Sequence, residues 1–291
     1  DVTVWRDGSK YSLHFEKGEN IGGLKKEAAD RKKTGTTIHW KPDLEVFTDI
    51  NIPDEYFLDI MRRQAVVNAG VTFRFRSQKN GKFETTDICY KNGILDYVAE
   101  LAGEDSLTQP VFIESERRGR DRADKPEYKV RMSAAFCFSN KAAVIEYYHN
   151  SSWLEHGGAP ERAARSAFVS AVDAQIKRAG KYQKNESKVS WQDIADCLIL
   201  VTNCFSTRTS YENQTKKAIT NKFIQEAMTE FFRSQLEIYF IEHKTEADRA
   251  CDQILINKRS REQAEKARLN IRKKLSGSLD ISNRVAKFVD C

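Results

Sequence analysis

At 291 residues, 40 % apolar and 31 % charged, the chain has material for one large or two modest domains and falls outside the disordered and membrane-embedded classes. It contains no apolar run of about eighteen residues and opens on Asp1-Val-Thr-Val-Trp-Arg6, so neither a membrane span nor a signal peptide is predicted. The net charge of +6 permits a nucleic-acid partner without requiring one. The six cysteines are scattered, with no CxxC and no histidine at metal-ligand spacing. They read as reduced, mostly buried thiols of a cytoplasmic protein with no metal site. The chain starts without Met in the middle of a strand pattern, as an excised piece of a longer protein would.

Val2 and Val4 alternate, Asp7-Gly8 supplies a turn, and Leu13 and Phe15 alternate on the return, which predicts a hairpin. A polar, Lys-rich connection over 25–33 follows, then a strand over 34–40 that Pro42 and Asp43 end. From Pro53 a helix is expected with Phe57, Ile60, Met61 and Ala65 on one face, closed by Asn68-Ala-Gly70. Over 71–76 the alternation is strict. It puts Val71, Phe73 and Phe75 inward and Thr72, Arg74 and Arg76 outward, before a turn at 78–81 and a second strand over 83–90. The stretch Glu116–Arg122 reads as a charged loop.

Tyr128, Val130, Met132, Ala134, Phe136 and Phe138 predict a long strand, and Val144–Tyr148 a second beyond the Ser139-Asn140 turn. Gly157-Gly158 precedes a helix from about Pro160 to Arg178, with proline well placed in a first helical turn. A linker over 181–188 leads through 191–196 to a buried strand over 197–204. Ile224, Met228, Phe232, Leu236 and Phe240 then recur every four residues, marking an amphipathic helix. A further helix over 245–275 buries Ala247, Ala250, Cys251 and Ile254. In its basic half Arg261, Arg268 and Arg272 share a side that reads as solvated or as DNA-facing.

Between the buried strand and the amphipathic helix lies Tyr211-Glu-Asn-Gln-Thr-Lys-Lys217. A loop fixed at both ends is a stiff mount for a cation, so Lys216 would suit a phosphate with the Gln214 amide beside it. A surface loop of solvated lysines satisfies the same spacing. Gln214-Thr-Lys216 in this setting resembles the QTK loop of the type IIA DNA topoisomerases, in their gyrase B and topoisomerase IV B proteins. Thr34-Gly-Thr36 with its following strand resembles the last strand of that family's ATPase domain. The order of helix, strand pair, KNGILDYV and Gly-Gly segment follows the family, and Ser282–Cys291 resembles its LADC tail. Ala159 and Pro160 depart from it, standing where the family has Thr and His.

The resemblance implies an α+β transducer domain, a four-stranded mixed sheet with covering helices of a kind also met in ribosomal proteins. The last strands of a GHKL-type ATPase domain precede it. The implied limits are 1–48 for the ATPase strands, 49–243 for the transducer and 244–291 for a linker helix and tail. Lys216 and Gln214 would reach the γ-phosphate of ATP, Lys216 in a catalytic role, and Thr36 would lie against adenine. Arg165 would line a cavity for double-stranded DNA, while Arg62, Arg74 and Arg76 are chosen by outward charge. ATP and Mg²⁺ would belong to the full-length protein and not to this piece alone. The implied partners are DNA, a topoisomerase A-type subunit and a second copy joined through the N-terminal region. Two alternatives remain: a mismatch-repair or chaperone-type GHKL relative, and a non-enzymatic basic nucleic-acid-binding module.

Overall fold

The computed structural model describes residues 1–278, and its chain forms two compact units, residues 1–57 and residue 58 onward. In the first, β1 (Val2–Arg6) and β2 (Ser9–Leu13) form the expected hairpin. Asp7 and Gly8 both take positive φ, 52° and 72°, the geometry a tight hairpin turn needs. A small ladder joins β3 (Phe15–Glu16) to β4 (Glu19–Asn20). The Lys-rich connection is not all loop, because β5 (Lys25–Ala28) pairs with β2, where Glu27 meets Lys10 at 3.1 Å. With β6 (Gly35–Ile38) on the far side of β1, the sheet runs β5-β2-β1-β6.

The helix α1 (Asp54–Val67) starts in the last residues of the first unit and runs into the second, its Ala65, Val66 and Val67 buried while Ile60 remains 49 % exposed. Of the predicted apolar face, Ala65 is buried, Phe57 and Met61 are half-buried, and Ile60 alone is exposed. A separate hairpin of β7 (Phe73–Lys79) and β8 (Lys82–Ile88) alternates as expected from Phe73, but Val71 precedes the strand and is exposed. Next come α2 (Ile94–Ala102), β9 (Val111–Gly119), β10 (Tyr128–Phe138), β11 (Val144–His149), the two-residue β12 (Ser152–Trp153) and α3 (Ala159–Arg178). The short α4 (Trp191–Ala195), β13 (Leu198–Ser206), α5 (Lys222–Glu242) and α6 (Lys244–Ser278) complete the described chain.

The central sheet is mixed, as expected, but has five strands in the order β12-β11-β13-β10-β9, with β11 and β13 parallel. The count exceeds the expected four because β12 folds back on β11. Glu116–Gly119, expected in a loop, continues β9 at the sheet edge, where an outer strand tolerates charge. Arg117 there reaches Glu230 of α5 at 2.6 Å.

Period-2 alternation gives β10 two different faces. Val130, Met132, Ala134, Phe136 and Phe138 pack with α3 and α5, whose Ile224, Met228, Phe232, Leu236 and Phe240 are all buried as the four-residue recurrence requires. Ala163, Ala164 and Ala167 give α3 a small-residue surface within this core. Ala135 and Cys137, with Ile199 and Val201 of β13, pack against α1 and α2. Burial on both sides explains why β13 reads as a continuous apolar run. Ala247, Ala250, Cys251 and Ile254 join the α3–α5 core. The LADC-like tail lies outside the described residues.

Candidate functional site

The loop that follows β13 is held at its root by side chains and backbone from three places. Ser210 N–H donates to Asn221 Oδ1 at 2.7 Å, and Thr220 N–H to Ser210 O at 2.8 Å. Asn221 Nδ2 reaches Asp121 Oδ2 at 3.0 Å, and Asp121 Oδ1 accepts from Phe223 N–H at 2.9 Å at the start of α5. Tyr211 and Gly158 each bridge to Ile219, and Ala159 N–H donates to Ile219 O at 2.8 Å. Gly158 sits at φ 84° against that backbone, and a Cβ on it would fall 2.3 Å from Ile219 O. The Gly157-Gly158 turn thus lets the chain before α3 press directly on the loop.

From this root, residues 212–216 stand exposed. Asn213 shapes the tip: its Oδ1 accepts from Thr215 N–H at 3.1 Å and from the Thr215 hydroxyl, and its carbonyl accepts from Lys216 N–H at 3.3 Å. Lys216 itself is held at φ 59°, a left-handed conformation uncommon for a residue with a side chain. Its ammonium lies 5.7 Å from the Tyr211 ring centroid, and among the described residues it makes no ion pair. Lys217, by contrast, is tied to Glu155, which holds that carboxyl below the usual carboxylate range. Of two adjacent lysines, one is committed and one is presented. Spacing gives no hint of this; only the return of Glu155 beside the loop, with His156 N–H donating to Lys217 O at 2.9 Å, distinguishes them.

His149, dispersed with the other histidines in the sequence, is fully buried beneath the loop. Its Nε2 lies 2.7 Å from Thr209 Oγ1 and its Nδ1 2.9 Å from Cys204 Sγ. Burial pushes its pKa down to about 4, so at neutral pH it is an uncharged strut. Asn150 adds Nδ2–H···O=C to Ser206 at 2.9 Å.

Gln214 and Lys216 are brought together at the loop tip, both exposed. Thr36 lies in β6 of the first unit, opposite Val4 and exposed. Arg165 projects from α3 to Glu161 at 2.7 Å and to the Trp191 ring at 5.8 Å. Arg62 is exposed on α1. Arg74 and Arg76 lie outward on β7, but Arg74 makes a two-pronged pair with Asp87, both contacts 2.7 Å, and Arg76 lies 4.5 Å over Phe83. Arg261 turns inward, gripping the fully buried Asp193 at 2.7 and 3.1 Å. Next to it Lys258, fully buried, and Arg259 share Glu186. Among the described residues no cluster of three or more His, Cys, Asp or Glu could hold a metal ion, and no helix is long and apolar enough to cross a membrane.

A family model of DNA gyrase B matches residues 93–270. The DNA gyrase B protein of Enterococcus faecalis is 25 % identical over 295 residues, which cover 100 % of this chain and 44 % of that protein. That of Chlamydia muridarum is 26 % identical over 293 residues, covering 100 % of this chain and 35 % of the relative. The chain thus spans less than half the length of these curated relatives. Among solved structures, the 43K ATPase domain of Thermus thermophilus gyrase B in complex with an aminocoumarin superposes with a TM-score of 0.65 at 23 % identity, over 92 % of this chain and 70 % of that one. The topoisomerase IV ATP-binding domain of Francisella tularensis in complex with a small-molecule inhibitor gives 0.69 at 20 % identity, over 89 % and 68 %. These structures share its mixed α+β fold. With the family model covering more than half of its residues, the chain belongs to the DNA gyrase B family.

Proposed function

We propose that this chain is the transducer segment of an ATP-dependent type IIA topoisomerase of the gyrase B kind, preceded by the last strands of its ATPase domain. In this reading residues 1–48 belong to the ATPase domain, 49–243 to the transducer, and 244–291 to a linker towards the cleavage core. The observation that carries it is the contrast between Lys217, tied to Glu155, and Lys216, presented without an ion-pair partner among the described residues on a loop fixed at its root. A cation held in this way can meet the charge that develops on a transferring γ-phosphoryl, where electrostatic stabilisation is a main source of rate. Gln214 supplies a neutral donor beside it, and Thr36 the contact to adenine. Mg²⁺ would be held by residues of the full-length protein.

A contact made only with ATP bound favours one arrangement of the parts that make it, so hydrolysis releases that arrangement. The helices α5 and α6 would carry the change towards the DNA-cleaving partner, a topoisomerase A-type subunit. Arg165, with Arg62, Arg74 and Arg76, would meet the phosphates of double-stranded DNA, contacts that position a duplex without reading its sequence. For Arg74 this requires leaving Asp87.

The test is DNA-stimulated ATP hydrolysis by the full-length protein with its A-type partner. Lys216→Ala is expected to remove most turnover with little loss of nucleotide affinity. Equal turnover in wild type and variant would return the segment to a solvated surface loop. Gain of negative supercoils in relaxed plasmid would separate gyrase from topoisomerase IV activity.

A further inference from the structure

Beside the fixed loop, a cleft of about 300 Å³ opens between β11, β12 and the first half of α3. Its lining includes the rings of Tyr147, Trp153 and Trp191, the Leu154 side chain, and the Glu161–Arg165 ion pair. Tyr147 is only 6 % exposed, and its hydroxyl meets no hydrogen-bond partner among the described residues. Burial pushes the Tyr147 pKa up, Glu161 adding to the rise and Arg165 opposing it. The group therefore stays an OH at neutral pH, able to donate one hydrogen bond and accept others.

The chemistry of the walls narrows what fits. Each indole already carries a guanidinium: Arg63 lies 3.6 Å from the Trp153 ring centroid and Arg165 5.8 Å from that of Trp191. A cationic ligand would have to compete with both, and a flat ring would stack on the indole faces they leave open. Arg165 is in turn paired with Glu161, so neither charge stands alone in the cleft. A flat, uncharged ring with a hydrogen-bonding edge suits all three aromatic walls and the unpartnered hydroxyl together. The volume lies at the lower end of small-ligand sites, sized for such a ring and little more.

We propose that this cleft binds a nucleobase, separately from the phosphate contact assigned to Lys216. The ring stacks on indole, an interaction open to every base because each has a π-face, and Tyr147 Oη bonds its edge. The base could come from a free nucleoside or from an unpaired nucleic-acid strand, two sources with the same chemistry.

The experiment uses the full-length protein with its ATP site filled by a non-hydrolysable ATP analogue. Adenosine and a short single-stranded oligothymidylate are titrated separately while tryptophan fluorescence is read, with Trp191→Phe assigning the signal to this cleft. Saturable quenching that Trp191→Phe reduces and Trp191→Phe with Trp153→Phe removes is expected, with affinity lowered about tenfold by Tyr147→Phe for the loss of one hydrogen bond. Response to adenosine assigns a free nucleoside, and response to the oligonucleotide alone assigns an unpaired strand. Quenching by neither probe, or wild-type affinity for both in Tyr147→Phe and in Trp153→Ala, would overturn the proposal.

Discussion

Substitution of Gly158 by Ala tests how the loop root is held. At φ 84° and ψ −128° this residue occupies backbone space that side chains rarely enter, at a cost on the order of 1–3 kcal/mol. The added Cβ would also stand 2.3 Å from Ile219 O and 2.8 Å from Ile219 N, backbone atoms with no rotamer by which to retreat. Their displacement breaks the 2.8 Å hydrogen bond from Ala159 N–H to Ile219 O, worth about 0.5–1.5 kcal/mol. Together these predict a loss of about 2–4 kcal/mol in urea unfolding followed by tryptophan fluorescence. Gly180→Ala is the control, because Gly180 also has positive φ, 65°, but no atom within 4 Å of its Cβ position. It should lose only about 1–2 kcal/mol from conformation alone. Equal losses in the two variants would refute the close approach of the Gly158 turn to the loop.

Three further outcomes follow from the packing. Phe232→Ala, at a fully buried position of α5, is expected to cost about 3–5 kcal/mol in the same unfolding assay, whereas Ile238→Ala, 45 % exposed, should cost far less. Arg261→Ala leaves Asp193 charged and buried with only its Ser190 donors, and a loss of about 3 kcal/mol is expected; a neutral result would show that α6 docks without this pair. Glu186 is held down to about 2, first by its hydrogen bond to Arg259. A carboxyl whose folded pKa lies below its unfolded value of 4.5 stabilises the fold above that value and loses the contribution as pH falls towards 2. Glu186→Gln should therefore flatten the fall of the unfolding midpoint over this window, and an unchanged slope would contradict the assignment.

Wherever one physical signal dominated, the fold was legible in the residues. The four-residue recurrence from Ile224 to Phe240 and the alternation from Tyr128 to Phe138 both became buried faces, since each is periodic enough to report a single neighbour. Asp7-Gly8 encoded its turn directly. Charge misled where its partner was distant in sequence. Glu116 and Arg117 read as loop until Lys129 and Glu230 came opposite them, and Arg261 read as solvent-facing or DNA-facing until Asp193 came beneath it. The same reason hid the split between Lys216 and Lys217, which depends on Glu155, sixty-odd positions upstream, and hid His149, whose partners Cys204 and Thr209 lie on β13 and the loop after it. Family resemblance named the loop; tertiary pairing separated its two lysines.

That separation is the most direct test of the account. DNA-stimulated ATP turnover would be compared in the full-length protein carrying Lys216→Ala or Lys217→Ala, each with the A-type partner. The account predicts a loss on the order of 10²-fold or more for Lys216→Ala, as when one preorganised electrostatic contact to a transition state is removed, and a much smaller effect for Lys217→Ala, whose ammonium belongs to Glu155. Equal losses, or a larger one at Lys217, would contradict it.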